Sequence, residues 1–451
     1  MIDGIEAVSA ARRGTAIGIP ARAVSIICST ASTAVATRYL GAAGFGVFST
    51  VGSLFVLLSF TDQGIGVELV NRITRSLHAK DQPAMERSVA TGWAALLLAA
   101  GLVTLGAATL VLFVPISSIV GSTGTVSDVD VMLAVALLAT LFAVSVVSGL
   151  ADRLRSALHQ NWVSSLCAAT GSVVSLLAVV FIVIIDGGFV AVVAAASCGL
   201  VAGQAVNLSL LCRARPWTRP SAALRARAQD VRGLYAAGAP FALLNALSAA
   251  ALFTDTLIVN AALGPVAAAT YAVPAKAATV ITSVLALIAV PLMPVLIAAD
   301  HDGDTNRLRE LFRGCVRRSA GAAVIAAGFF LAFGQPLLRI WTGERIPESR
   351  LVVVGEAVWI ILFAIGNVVN VLLSSRRRLR VQVQVNLVMA AANVALSLVL
   401  VREVGVAGPI IATDATYALC VVLPLLLHVR HDLSGQCRGP VLARRSATTR
   451  S

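Results

Sequence analysis

The sequence predicts an all-α integral membrane protein with twelve transmembrane helices in two six-helix halves. Three observations carry that prediction: the apolar composition, twelve apolar runs of spanning length, and a lopsided distribution of basic residues. Of the 451 residues, 58% are hydrophobic and 13% are charged. Soluble domains run at about 45–50% apolar and about 25% charged, and a soluble fold of this length could not hide so much apolar surface. The same composition excludes disorder, collagen-like repeats and a disulfide scaffold.

A span needs about 20 mainly apolar residues, which divides the chain into twelve. The first, 16–38, holds Pro20 and Arg22, and the second, 44–70, carries Asp62 and Glu68 near its end. Runs at 89–114, 130–151, 162–185 and 188–212 complete the first bundle, residues 1–212. A basic linker at 213–233 leads to the second bundle, 234–430, with spans at 234–261, 265–297, 318–337, 351–374, 382–401 and 405–428. The eighth is long, and Pro291 and Pro294 are expected to break it near its inner end. A basic tail follows at 431–451.

The net charge is +13, but its placement speaks for topology rather than for nucleic acid. With the N-terminus inside, 28 basic residues fall on the inner side and 5 on the outer, with Arg22 and Lys276 inside apolar runs. The positive-inside rule therefore puts both termini, and the loops 71–88, 213–233 and 298–317, in the cytoplasm. Trp93, Trp162 and Trp341 sit near span ends, where interfacial anchors are expected. The seven cysteines form no CxxC pair and read as small buried hydrophobes. The five histidines show no HExxH spacing, so no metal site is expected. Residues 1–14 contain no signal-peptide core. Without a Walker A loop or a nucleophile–base pair, neither ATP hydrolysis nor any other enzyme activity is expected, and no cofactor.

Internal offsets point to duplication. Leu40-Gly41 repeats as Leu263-Gly264 at a spacing of 223, with Phe48 falling on Tyr271. Pro20 and Pro240 are 220 apart, and Gly188 and Gly405 are 217 apart. Two halves that both begin inside would be related by an axis along the membrane normal.

The stretch from Arg38-Tyr39-Leu40-Gly41 through Gly46-Val47-Phe48, followed by Asp62-Gln63-Gly64-Ile65-Gly66, resembles the first-hairpin signature of bacterial polysaccharide flippases. These are the Wzx-like O-antigen and exopolysaccharide transporters of the multidrug/oligosaccharidyl-lipid/polysaccharide superfamily. The resemblance implies a MATE-like fold, two six-helix bundles around a central cavity, and alternating access that carries an undecaprenyl-diphosphate-linked oligosaccharide across the inner membrane. Membrane lipids, a proton or sodium ion as coupling species, and the polysaccharide polymerase and glycosyltransferases of the same pathway are the partners it implies; nucleic acid is not among them. The chain is poorer in aromatics and lysines than a typical member.

Charges within spans are the candidate site residues, because they are costly there. Lys276 lies about 15 Å from the outer end of its helix, with Pro274 two residues earlier as a source of helix irregularity. It reads as a cation for the diphosphate or as the ion-pair partner of Asp255, about 10 Å deep on the neighbouring helix. Arg22, about 9 Å inside the first span, reads as diphosphate capture at the inward mouth or as a snorkelling side chain; Pro20 would bend the helix beside it. Asp414, with Tyr417 one turn on, is a candidate for a coupling proton or cation, and Asp62 and Glu356 are weaker candidates for coupling or ion pairing. Glu68 is read as interfacial, and Asn245, Asn367, Asn370 and Asn393 as helix-packing groups. The main rival function is a cation-coupled multidrug extruder on the same fold, which would favour acidic cavity residues. A membrane-bound polymerase or ligase would need a larger outer loop than 115–129 or 338–350, and a passive scaffold would not explain charges at mid-membrane.

Overall fold

The computed structural model describes residues 2–113, 126–289, 305–375, 379–424 and 426–427. Ten stretches among them are long and apolar enough to cross a membrane. Their outward faces present side chains such as Leu102, Leu105, Phe181, Ile184, Ile325 and Phe329, as lipid-facing helices do. The chain is a multi-pass membrane protein.

The first of the ten, Ile17–Val56, is 40 residues long, about 60 Å at helical rise and so about twice the bilayer core. It belongs to α1 (Ile2–His78), which is two helices meeting at Gly41. The expected span 234–261 holds two helices rather than one. Its helix breaks at Thr254 into α7 (Ala228–Phe253) and α8 (Asp255–Leu263), which places Asp255 in a first turn.

Between these come α2 (Gln82–Phe113), α3 (Asp128–Ser148), the short α4 (Leu150–Ala157), α5 (Asn161–Ile184) and α6 (Gly188–Ala214). After α8 come α9 (Pro265–Ala289), α10 (Thr305–Thr342), α11 (Arg350–Ser375), α12 (Leu379–Glu403) and α13 (Gly408–Thr416), which runs on into a π-helical turn, Tyr417–Val422. Local chemistry sets several ends. Asp81 caps α2 by accepting from the Ala84 N–H at 2.9 Å. Ser127 and Asp130 form a reciprocal capping box at the start of α3.

Backbone conformation matches at the positions paired by sequence offset. Gly41 has φ 68°, ψ −176°, and Gly264 has φ 86°, ψ 175°. That region is essentially closed to residues with a Cβ. Gly188 and Gly405 also share a positive φ, 81° and 75°. Replacing either Gly41 or Gly264 with Val should cost about 1–3 kcal/mol, by a similar amount at each site. Thermal unfolding in detergent checks this; unchanged melting at one site and not the other would argue against equivalent roles.

Small residues bring helices into contact. A methyl at Gly171 would overlap the Gly199 carbonyl, and one at Gly203 would meet the Cys167 carbonyl, so α5 and α6 pack backbone to backbone through a small-xxx-small ridge. The first bundle buries Leu69, Trp93, Leu96, Leu150 and Leu154; the second buries Phe312, Val369, Met389 and Tyr417. A third cluster joins Phe45 to Ala269, Val273, Phe330 and Ile360, so the bundles meet through apolar contact at the Gly41 end.

Several sequence expectations change. Trp93 is no interfacial anchor: it is 1% exposed, and its indole N–H donates to the Thr218 carbonyl at 2.9 Å. Thr218 belongs to the 213–233 segment, whose two 3₁₀ turns (Pro216–Thr218 and Pro220–Arg225) dock Trp217, Ala222 and Ala223 on the first bundle. The 71–88 loop is largely helical and so is the described part of the 298–317 loop, from Thr305 on, because a hydrogen-bonded helix can continue past the apolar run that crosses the bilayer. Helix continues through both Pro20 and Pro274. Pro291, Pro294, most of the 115–129 loop and the 431–451 tail lie outside the described residues.

Candidate functional site

Serines at positions 25, 29 and 32 of α1, with Thr33, fall on one helical face, as do Ser164, Ala168, Ser172 and Ser175 of α5. The close α5–α6 packing turns the second stripe toward the first, and together they line a chamber of about 470 Å³. Gln204 of α6 and Asp152 of α4 add polar groups to it. Among the described residues Lys276, from α9, is the one lining residue contributed by the second half of the chain. Its side chain is exposed although the residue lies mid-helix, because it opens on the cavity. Among the described residues it makes no ion pair or side-chain hydrogen bond.

A wider mouth of about 860 Å³ adjoins the chamber and holds Arg22, Asn71, Arg153 and Asn161. Ser25, Ile26, Asp152, Ser164 and Ala168 line both spaces, so the two are continuous. Arg22 is exposed there. It stands 19 residues from Gly41, about 28 Å along a helix, so the mouth is at the end of the molecule remote from Gly41.

The Gly41 end is shut. Arg38 donates from Nε to the Trp341 carbonyl at 3.2 Å and from Nη2 to the Ile340 carbonyl, binding the C-terminal carbonyls of α10. A cation is favoured at that end of a helix. The Trp341 indole N–H donates back to the Thr30 carbonyl at 3.1 Å. Beside them a methyl at Gly46 would overlap the Pro265 carbonyl. Tyr39 donates to Asp186 and accepts from the Gly188 N–H at 3.0 Å, fixing α1 to the α5–α6 turn.

Asp255 does not pair with Lys276 in this conformation. It is 1% exposed, and its Oδ2 accepts from the Tyr271 hydroxyl at 2.9 Å and the Thr413 hydroxyl at 2.8 Å. Ser397 donates to its Oδ1 at 3.4 Å, and Asn393 donates to Thr413 at 2.6 Å. The break at Thr254 points the carboxylate into the second bundle rather than across the cavity. Glu356, 3% exposed, and the half-buried Asp414 lie within electrostatic range of it. Buried Oδ1 atoms of Asp414, Asn393 and Asn260 are nearby, and that of Asp414 has no hydrogen-bond partner among the described residues. The π-helical turn that follows Asp414, a local winding often found at functional positions, seats Tyr417 against Trp359. No group of three His, Cys, Asp or Glu side chains among the described residues is arranged to hold a metal ion. The Asp62 side chain lies outside the described residues; Glu68 binds Arg72 and Arg75 on its own helix at 3.0 and 3.1 Å.

The sequence thus singled out Lys276 and Arg22, which line one continuous space, and Asp255, Glu356 and Asp414, which share one bundle. It passed over Asp152, Asn207, Gln204 and the two serine stripes. The stripes were legible as polar residues at helical spacing within apolar runs. Asp152 was not, because it lies among loop charges by sequence and reaches the cavity only through the packing of α4.

A family model described as polysaccharide biosynthesis protein matches residues 21–299. No curated protein sequence matches the chain. Among solved structures, an inward-facing multidrug resistance MATE family transporter of the MOP superfamily is similar at TM-score 0.75 and 14% identity, over 92% of this chain and 98% of that one. An outward-facing MATE family transporter of the same superfamily gives 0.58 at 15% identity, over 92% and 95%. A MOP superfamily transporter from Pyrococcus furiosus, described as having a binding pocket of reverse polarity that suggests a different function, also gives 0.58 at 15%, over 92% and 95%. The fold is that of these transporters, and it lies nearer to the inward-facing form than to the outward-facing one.

Proposed function

Because the chain belongs to the polysaccharide biosynthesis protein family, we propose that it flips an undecaprenyl-diphosphate-linked oligosaccharide across the bacterial inner membrane by alternating access, for assembly of cell-surface polysaccharide. The observation that carries this reading is the ammonium of Lys276 in a hydroxyl-lined chamber that is closed at one end and open at the other through a mouth bearing Arg22. Hydroxyl and amide side chains can replace the water around sugar hydroxyls. A guanidinium at the mouth suits phosphate oxygens, and a lysine further in offers a second point charge toward which the diphosphate can move. With both termini cytoplasmic, as the basic loops favour, the mouth faces the leaflet where lipid-linked sugars are loaded. The lipid tail stays in hydrocarbon while the polar head uses the cavity.

The coupling site we place apart from the cargo, in the second bundle. Asp255, Glu356 and Asp414 with the hydroxyls around Asp255 are suited to a proton or sodium ion, whose binding would change the packing of α8 against α12 and α13.

The rival reading, multidrug efflux, draws on the similarity to multidrug transporters, and Asp152 would suit a cationic drug. The reverse-polarity neighbour makes cavity charge the feature to test. In reconstituted vesicles the protein should move a fluorescent lipid-diphosphate oligosaccharide between leaflets and leave a cationic dye where it is, with flipping responsive to an imposed pH or sodium gradient and that response lost in Asp255→Asn. Dye extrusion without lipid movement would replace this reading with the rival.

A further inference from the structure

Among the described residues Asp152 is the one carboxylate lining both the chamber and the mouth, and a buried network holds it. Asn207, 0% exposed, donates from Nδ2 to Asp152 Oδ1 at 2.6 Å and to the Ser164 hydroxyl at 3.1 Å. Its Oδ1 accepts from Nε of Arg155, which is 6% exposed and also donates to Gln160 at 3.2 Å. The orientation of the Asn207 amide is forced. A guanidinium only donates, so Asn207 must turn its oxygen to Arg155 and its nitrogen to Asp152. The buried cation thereby balances the carboxylate through one intervening amide, and three helices, α4, α5 and α6, fix a single rotamer. Lone-pair capacity is left on the second carboxylate oxygen, at the wall of the cavity.

A structural ion pair would close on itself; this one is spaced by an amide and ends on open space. Ser25, which also lines both spaces, has a buried hydroxyl with no hydrogen-bond partner among the described residues, and so does the Gln204 side-chain oxygen of the chamber wall. Acceptors on a rigid wall that the described residues leave unsatisfied match a ligand rich in hydroxyl donors. We infer that Asp152 is a cargo-reading residue that accepts hydrogen bonds from hydroxyls of the transported sugar, and that Asn207 and Arg155 are the positioning residues that aim it. The inference rests on the lipid-linked sugar reading above and adds to it the part of the protein that recognises the glycan rather than the diphosphate.

Two measurements test it. In the first, reconstituted wild-type protein is given lipid-diphosphate oligosaccharides each lacking one sugar hydroxyl. One or two of the deoxy positions should slow transport about tenfold, the scale of one charge-assisted hydrogen bond. In Asp152→Asn, which keeps the shape and the bond from Asn207, those same positions should cost nothing further, while intact cargo moves about tenfold more slowly than in wild type. Equal deoxy penalties in wild type and variant would overturn the assignment. The second needs no variant: labelling of Asp152 by a hydrophobic carbodiimide, read by peptide mass spectrometry, should be slowed severalfold by the lipid-diphosphate oligosaccharide and not by the bare lipid diphosphate. Equal protection by both, or by neither, would overturn it. Failure of wild type to move any lipid-linked glycan would sink the transport reading itself, a result separate from the deoxy and labelling comparisons.

Discussion

Replacing Lys276 with Ala should reduce transport of lipid-linked sugar by on the order of 10–100-fold, the scale of one or two hydrogen bonds to a charged group, while leaving the protein inserted and folded. The second half follows from its surroundings. Lys276 opens on the cavity, with no ion pair to break among the described residues, so its loss leaves no buried carboxylate stranded. Had it paired with Asp255, the same change would have been destabilising; with Asp255 satisfied by Tyr271, Thr413 and Ser397, transport and stability separate cleanly. Lys276→Arg should keep part of the activity, since charge is retained but the planar fork needs a different approach to the phosphate than a point charge does. Flipping in vesicles and melting in detergent are the paired measurements. Normal transport by Lys276→Ala would end the role proposed for this lysine and move weight to the multidrug reading.

Gly46→Val should hold the Gly41 end open. A methyl at this position already overlaps the Pro265 carbonyl, so the closed arrangement would have to part by more than a side chain can absorb. Overpacking of this kind costs about 1–3 kcal/mol, a shift of roughly 5–150-fold between the two alternating forms. The readout is disulfide formation between cysteines introduced as Arg38→Cys and Gly343→Cys, because a Cβ at Gly343 lies 3.4 Å from Arg38 Cγ in the closed form. The cross-link should form many times more slowly in the Gly46→Val background, and vesicle transport should fall with it. Undiminished cross-linking and transport would mean that this contact does not gate the cavity.

Much of this molecule is legible residue by residue. Apolar composition and run length alone require a helical membrane protein, because a backbone in hydrocarbon must satisfy its own hydrogen bonds. Leu40-Gly41 and Leu263-Gly264 could be paired by spacing, since only glycine tolerates the backbone both adopt. Lys276 and Arg22 could be chosen as site residues because a charge in an apolar run is too costly to be incidental.

What the tertiary structure decided were the partners. Depth along a helix places Asp255 near Lys276 in height but says nothing of rotation, and the break at Thr254 turned the carboxylate toward Thr413 and Ser397, 158 and 142 residues away in sequence. Trp93, set near a span end by its position, was buried by a linker that docked where a loose connector was expected. Asp152 lies between loop arginines in the sequence and on the cavity wall in the fold. The physical reason is common to all three: the sequence by itself determined which residues lie in membrane and which face of each helix is polar, because those depend on local period and transfer energy. Which polar face meets which depends on helix rotation and close approach, set here by glycine contacts such as Gly171–Gly199 and Gly46–Pro265, and these exist only once distant helices have packed.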